Sequence, residues 1–413
     1  MAFLDSFRIQ NFKSILDQTI DLGKLNLFIG PNGAGKSNIL DAFAMYHAAA
    51  SFNINESQIA IRGARLSPKD LYLSYLGNNT DNYFTLSGGK AGFRLTCSLS
   101  VSEDRKRSFQ IISRELELKN GKKKDLPFFI PDNEAKELDM VLMINHENGS
   151  LDHMENEYRE IAQWWKSLQD GYVSYLPVSP VLQGIMPDTS MGEPLGLYGG
   201  SLAKAIKEII EGDAWKIKAV NELFESFPEV TGLPYRFRVE PPSAENINSH
   251  LHPGSLIVTF QDRNHPDMRS VFAGDAPEGA SYVLFVMAAL CHPDSPRFFA
   301  LDNVDHALNP GLVRNLIFQM SHFIKQVPDR QVLMTSHNPT ALDAIDIFNA
   351  DHRLFVVRRG EDGATIIDRI KPPDGMNREE WSEKYKGAPL SDFWLSGAFS
   401  GALTPMMDAL WGE

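Results

Sequence analysis

The sequence predicts an α/β fold built on a buried parallel sheet, and three observations carry that prediction. An apolar segment at 24–29 runs into a glycine-rich turn and then into a helical pattern over about 35–50. Two continuous apolar runs, 298–301 and 332–334, lack the polar alternation of a half-exposed strand, as strands covered on both faces do. The stretch between them, 310–326, has helical periodicity, so the three segments read as a βαβ crossover.

Taken in order, residues 3–12 read as the opening strand. In the helix over 35–50, Leu40, Phe43, Ala44 and His47 share one face. Residues 82–117 alternate apolar and polar positions between turn signals, as in an antiparallel meander, and Leu86-Ser87-Gly88-Gly89 within them reads as a β-turn. From 132 to 169 the pattern turns helical, with Leu138, Val141 and Leu142, then Ile161, Trp164, Trp165 and Leu168. Residues 172–184 form a short strand running into a proline-containing loop. A helix near 201–226 and strands near 234–240 and 255–260 follow. Segments 353–358 and 364–369 flank Gly360-Glu361-Asp362-Gly363 as a hairpin. After Lys371-Pro372-Pro373 come a polar linker and a short tryptophan-rich tail.

Composition removes several classes. At 413 residues the chain is long enough for one large or several small cores, and 43% hydrophobic with 23% charged residues is ordinary for a soluble globular protein. Asp5 and Arg8 interrupt the apolar opening, so it does not read as a signal peptide. No run of ~18 apolar residues occurs, so a membrane is not an expected partner. Cys97 and Cys291 are too few for a disulfide framework or zinc cluster, and a reduced cytoplasmic setting is expected. A net charge of −13 argues against broad binding to nucleic acid. Two short basic clusters, Arg105-Lys106-Arg107 and Lys122-Lys123-Lys124, read either as local phosphate contacts or as solvated loop tips. There is no internal repeat and no heptad run, which excludes a long coiled-coil arm.

The strongest local signal is Gly30-Pro31-Asn32-Gly33-Ala34-Gly35-Lys36-Ser37, a full G-x-x-x-x-G-K-[ST] phosphate loop between an apolar strand and a helix. Its glycines let backbone N–H groups turn inward around phosphate oxygens, and the helix start adds positive partial charge. Lys36 would meet the β- and γ-phosphates and the Ser37 hydroxyl would ligate Mg²⁺. Asn32, Gly33, Ala34, Gly35 and Asn38 complete the expected nucleotide-binding set, with ATP as ligand.

Phe7-Arg8-Ile9-Gln10-Asn11-Phe12-Lys13-Ser14-Ile15 followed by Gly30–Ser37 and Asn38 resembles the opening of the RecF/OLD/SMC-like branch of ABC-type ATPases. The resemblance continues through 298–302, Ala307-Leu308-Asn309-Pro310 and Thr335-Ser336-His337-Asn338-Pro339. It is nearest to the stand-alone ATPases of bacterial anti-phage defence operons, and Leu390-Ser391-Asp392-Phe393-Trp394-Leu395-Ser396-Gly397 is similar to their tails. It implies a P-loop NTPase of ABC type with a mixed-sheet lobe, a helical lobe and no long coiled coil. The implied division is an N-terminal ATPase lobe at 1–125, a helical insert at 126–270, a C-terminal ATPase lobe at 271–370 and a tail at 371–413.

The resemblance also implies roles. Asp302 would hold Mg²⁺ through water opposite Ser37. His337 would contact the γ-phosphate, the alternative being a capping or core histidine. Two positions depart from the family pattern. Asn303 stands where the family has a glutamate that orients the attacking water, and an amide cannot take a proton. Asp305 is the nearest carboxylate, either as a substitute base or as a structural aspartate. The signature loop falls on Ala276-Pro277-Glu278-Gly279, with Pro277 in place of the family's serine. Gly279 and the helix after it would still turn a helix N-terminus toward the γ-phosphate of a second copy. Gln183 is the candidate for the glutamine loop, the alternative being a surface glutamine.

These readings lead to an ATP-dependent head-to-tail dimer or higher homo-oligomer, with hydrolysis slow or partner-stimulated. Such a switch would act on a separately encoded effector, a nuclease or toxin. A DNA-end-binding or DNA-repair ATPase of RecF/SMC type is the second reading. A nuclease domain on the same chain is not expected, because only 62 residues follow Asp351 and they hold no acidic cluster on strands.

Overall fold

The computed structural model describes residues 3–51, 54–67, 71–74, 82–101, 109–126, 160–161, 163–165, 167–168, 171–190, 192, 194–241, 256–264 and 270–399. The expected helical stretch at 132–159 and the cluster Arg105-Lys106-Arg107 lie outside them.

The central element is a six-stranded sheet in the order β15-β14-β3-β13-β12-β8. Its strands are β3 (Leu25–Ile29), β8 (Tyr172–Tyr175), β12 (Phe298–Leu301), β13 (Gln331–Ser336), β14 (His352–Arg359) and β15 (Thr365–Ile370). All run parallel except β15, which closes the edge as the second strand of the expected hairpin. The all-apolar runs have a direct cause. Leu27 and Ile29, Phe299 and Leu301, Val332 and Met334 feed a core on one face, while Phe28, Phe298, Ala300 and Leu333 feed a second core on the other. Strands with two buried faces cannot carry polar alternation.

One core lies between this sheet, helix α1 (Lys36–Ala50) and an antiparallel sheet in the order β2-β1-β4-β5-β6-β7. That sheet comprises β1 (Ser6–Phe12), β2 (Ile15–Asp21), β4 (Tyr83–Lys90), β5 (Phe93–Val101), β6 (Phe109–Glu117) and β7 (Lys123–Asp125). The meander is therefore present, and β2 is a strand that the sequence pattern does not separate from the opening one. Leu86-Ser87-Gly88-Gly89 is not a turn. It lies inside β4, and a Cβ on Gly88 would sit 2.4 Å from the Tyr46 hydroxyl of α1, so the glycine lets helix and sheet touch. Lys123 pairs with Glu115 at 2.9 Å across β6 and β7 and Lys124 is half-buried, so two residues of this second basic cluster are strand, while Lys122 stays exposed in the turn before β7.

The other core is covered by helices. A short helix α2 (Glu56–Ala60) belongs to the first layer; α3 (Ser179–Leu182), α4 (Leu202–Glu211), α5 (Lys218–Glu225), α6 (Phe227–Thr231) and α7 (Glu278–Cys291) build the second. The helix expected over 201–226 is broken by a 3₁₀ turn at Asp213–Lys216, where Gly212 ends α4. A three-stranded sheet, β11 (Ser270–Phe272), β10 (Ile257–Asp262) and β9 (Tyr235–Glu240), sits beside them. Helix α7 is apolar all round and buried along nearly its whole length. Helix α8 (Pro310–Gln326), capped by Asn309 with proline at its start, supplies the β12-to-β13 crossover. In the tail, α9 (Arg378–Lys384) opens with a capping box from Asn377 and Glu380, and α10 (Leu390–Leu395) docks on the 3₁₀ turn Pro339–Ala344. Ser391 makes that contact, donating through its backbone N and hydroxyl to both carboxylate oxygens of Asp343 at 2.9 and 2.8 Å.

Candidate functional site

In an open parallel sheet the loops leaving the carboxyl ends of the strands gather at one edge, and this is where ligands bind. Here the phosphate loop leaves β3, Asp302 leaves β12 and His337 leaves β13. Residues distant in sequence meet for that reason.

The loop has the backbone its sequence demands. Gly33 and Gly35 have φ of 79° and 110°, and a Cβ on Gly35 would lie 2.2 Å from the Thr365 hydroxyl. Gly30 is equally constrained, with the Val357 carbonyl 2.1 Å from the would-be Cβ. The β14–β15 hairpin thus forms the outer wall of the loop. Thr365 donates to the Ala34 carbonyl at 2.9 Å and Arg359 Nε to the Gly33 carbonyl at 2.8 Å. Lys36 is buried and its Nζ donates to the carbonyls of Gly30 and Pro31 at 2.7 and 3.1 Å. Burial lowers its pKa, and the carboxylates of Asp302 and Asp305 act against that shift.

Ser37 Oγ donates to Asp302 Oδ2 at 3.0 Å, while Thr335 Oγ1 donates to Asp302 Oδ1 at 2.5 Å. Thr335 Oγ1 also accepts from the Asn303 N–H at 2.8 Å, and Asn303 has a φ of 56°, in the left-handed region that asparagine tolerates. One hydroxyl on β13 therefore fixes both the carboxylate and the turn after β12. The Asp302 carboxylate and Ser37 hydroxyl are hard oxygen donors, a set that suits Mg²⁺, which keeps several of its waters.

Asp305 is the most enclosed carboxylate of the group, with a side chain 3% exposed, and its Oδ2 lies 3.4 Å from His337 Nδ1. Its Oδ1 is buried without a hydrogen-bond partner. His337 is 56% exposed. The pair places a shielded acid behind an outward-facing imidazole.

The cleft beside the loop, about 320 Å³, is lined by 32–38, Asn303, Arg65 and Arg359. Sequence reasoning does not reach the two arginines. Arg65 bonds Asn38 Oδ1 at 2.8 Å and Asp41 at 2.6 Å, and Asp41 also takes the buried Lys13 ammonium at 2.7 Å. Asn38 in turn donates to Ser14 Oγ at 2.8 Å. Lys13 and Ser14 belong to the motif-like opening Phe12-Lys13-Ser14, which is a usable signal; Arg65 and Arg359 have none.

Gly279 and Gln183 stand apart from this group. Gly279 is buried at the start of α7, where a Cβ would come within 3.1–3.4 Å of Leu312, Leu308 and the Ala307 carbonyl. Pro277 and Glu278 are exposed at the same helix start, and Pro277 gives the helix no side-chain cap. Gln183 is buried at the end of α3. Ser179, on α3, donates to Glu278 at 3.1 Å and so joins that turn to the start of α7.

Residues 25–343, more than half of the chain, match the family described as "AAA domain, putative AbiEii toxin, Type IV TA system" (AAA_21). The chain belongs to this family. As a member of AAA_21 it carries an AAA domain, the class of P-loop nucleotide-binding fold that its phosphate loop belongs to. It is similar to human structural maintenance of chromosomes protein 1B, 32% identical over 112 residues, which cover 24% of this chain and 9% of that protein. The chain therefore spans a small fraction of that relative's length. Among solved structures, it is similar to the SMC head domain from Thermotoga maritima, with 16% identity, a TM-score of 0.45, and coverage of 89% of this chain and 99% of that one. Among the described residues no helix is long and apolar enough to cross a membrane.

Proposed function

We propose that this AAA_21 protein is an ATP-driven switch. Two copies close head to tail on ATP, hydrolyse it slowly and pass the change to a separately encoded effector, a nuclease or toxin, in bacterial anti-phage defence. The observation that carries this reading is the meeting of Lys36, Ser37 and Asp302 at the carboxyl edge of one sheet, with Asp305 and His337 beside them.

In this reading Lys36 and the inward N–H groups of 33–38 hold the phosphates. Ser37, and Asp302 through water, would hold Mg²⁺, which when bound neutralises charge on the phosphate oxygens. Thr335 keeps Asp302 aimed at Ser37. His337 contacts the γ-phosphate, and Asp305 orients the imidazole and takes the place of the missing base. Asn303 can hydrogen-bond a water but cannot take its proton, which supports slow turnover. The exposed start of α7, with Pro277, Glu278 and the backbone of Gly279, covers the γ-phosphate of the second copy. ATP then contacts both protomers only in the closed dimer, and that differential affinity drives closure.

Equilibrium binding of a fluorescent ATP analogue tests the site. Lys36→Ala should weaken binding by about 10- to 100-fold, the loss of a charge-assisted contact. Because Lys36 also satisfies two loop carbonyls, thermal melting of the variant must accompany the titration. Wild-type affinity in a folded Lys36→Ala protein would sink the assignment.

A further inference from the structure

Away from the nucleotide edge, the small sheet and the helices beside it enclose a second cavity of about 400 Å³. Its floor and walls are mostly aromatic, Trp215, Phe224, Phe227, Tyr235 and Phe237, with Pro228 and one exposed carboxylate, Glu225, among them. Phe224 and Phe227 are 3% and 1% exposed, whereas Trp215, Tyr235 and Phe237 are only half-buried and leave ring surface open to the cavity. The ring centroids lie close, tilted for Trp215–Phe224 at 5.8 Å and Phe224–Phe237 at 5.7 Å and edge-to-face for Phe227–Phe237 at 5.7 Å, so the walls are mutually braced. Arg236 and Arg263 stand exposed on the rim. Among the described residues neither guanidinium finds a hydrogen-bond or ion-pair partner, which is unusual in a chain of net charge −13.

The cavity opens at the start of β9, and β9 is an edge strand. Its partner is β10, in register Tyr235↔Asp262 to Glu240↔Ile257, and its other side pairs with no strand among the described residues. Along β9 the exposed side chains are Arg236 and Arg238, alternating with the inward Tyr235, Phe237 and Val239. Arginines on an edge strand discourage pairing with basic or apolar strands. They do not discourage an acidic one, and the aromatic cavity lies directly beside them.

We infer that the β9 edge and this cavity form a docking surface for an extended acidic segment of a partner protein. The segment adds to β9 as a further strand, buries one large aromatic side chain among Trp215, Phe224 and Phe237, and sets flanking carboxylates against Arg236, Arg238 and Arg263. Strand addition supplies backbone hydrogen bonds, and a pocket for an alternate side chain supplies selectivity. The occupant is acidic because Arg236 and Arg263 outnumber Glu225, the one carboxylate in the cavity lining, and Arg238 follows along β9. It is extended because only a strand satisfies a strand edge. The inference does not depend on the ATP-switch reading, and its test needs no nucleotide.

The probe is a blocked, fluorescein-labelled peptide that alternates Asp or Glu with apolar residues around one central Trp, titrated into the full chain without ATP and followed by anisotropy. We expect saturable binding, weakened about tenfold or more by the double variant Arg236→Glu/Arg263→Glu. The same variant should gain affinity for a peptide with Lys at the acidic positions. Methylating the backbone nitrogens on one edge of the peptide should abolish binding, which separates strand addition from simple charge attraction. No saturable binding to the wild type, equal binding of the basic peptide, or indifference to backbone methylation would each overturn the inference. Sedimentation without ATP covers the remaining occupant: a concentration-dependent dimer dissolved by Arg236→Glu would assign the surface to a second copy instead.

Discussion

In the proposed switch, Asp305 is the residue on which the chemistry turns. The position after Asp302 carries an amide, and Asp305 is the carboxylate that the fold places against His337, at 3.4 Å, with one oxygen left unpartnered. Loss of general-base help costs ~10²–10⁴ in rate, so the isolated protein should release phosphate far below about ten turnovers per second. Asp305→Asn keeps the shape and removes the charge; it should lower turnover further while leaving ATP affinity near the wild-type value. Phosphate-release kinetics and nucleotide titration on the same sample separate the two. Unchanged turnover in Asp305→Asn would move the role to another group. Lys36, Ser37, Asp302 and His337 are legible in the sequence because each sits in a short contiguous pattern. Thr335 is only part of such a pattern, and its bonds to Asp302 and Asn303 depend on the register between β12 and β13, which no local pattern encodes. The arginines at 65 and 359 are further from reach: one lies in a loop and the other ends β14, and nothing beside either in the sequence ties it to the phosphate loop.

At the scale of the element, α1 shows what a buried polar group does to pH dependence. His47 is fully buried on this helix, its Nδ1 lies 3.0 Å from the Leu168 carbonyl, and its ring stacks on Tyr172. Burial pushes its pKa down to about 3, against which the Leu168 carbonyl acts weakly. Between about pH 3 and its ordinary pKa of 6.5 the unfolded chain binds a proton at His47 that the folded chain does not. Stability from this group is therefore present above pH 6.5 and is lost as pH falls through that window, by about 1.4 kcal/mol per pH unit. Denaturant unfolding at pH 7.0 and 5.5 should show the fall, and His47→Gln should flatten this component. An identical slope in the variant would place the acid sensitivity elsewhere. The apolar face of α1 is legible from Leu40, Phe43 and Ala44. Its covering on all sides is not, because Tyr46 packs against Gly88 through the absence of a side chain. The glycine pair at 88–89 has the composition of a turn, yet close contact, not chain reversal, is what requires the glycine there.

At the scale of the molecule, the central sheet is the frame that brings the phosphate loop after β3 and the loops after β12 and β13 to one edge. Its parallel strands are legible because short, continuous apolar runs fit best where both faces of a strand are covered, and the hairpin at its edge because the linking turn is rich in glycine. The break in the helix over 202–225 is readable only from Gly212, because apolar positions resume at helical spacing after the 3₁₀ turn. In the proposed head-to-tail switch, closure on ATP depends on the start of α7. Gly279 is a poor place to disturb, because any Cβ presses on Leu308 and Leu312. Pro277 is exposed, and aspartate is a favourable residue before a helix, so Pro277→Asp should leave the fold intact while setting a negative charge where the second copy's γ-phosphate arrives. Light scattering of both proteins with and without a non-hydrolysable ATP analogue is the most direct measurement of ATP-driven closure. The wild type should double in mass on adding the analogue, and Pro277→Asp should bind the analogue yet stay single. A wild type that keeps one mass with and without ATP, or a variant that dimerises as readily, would contradict the head-to-tail switch.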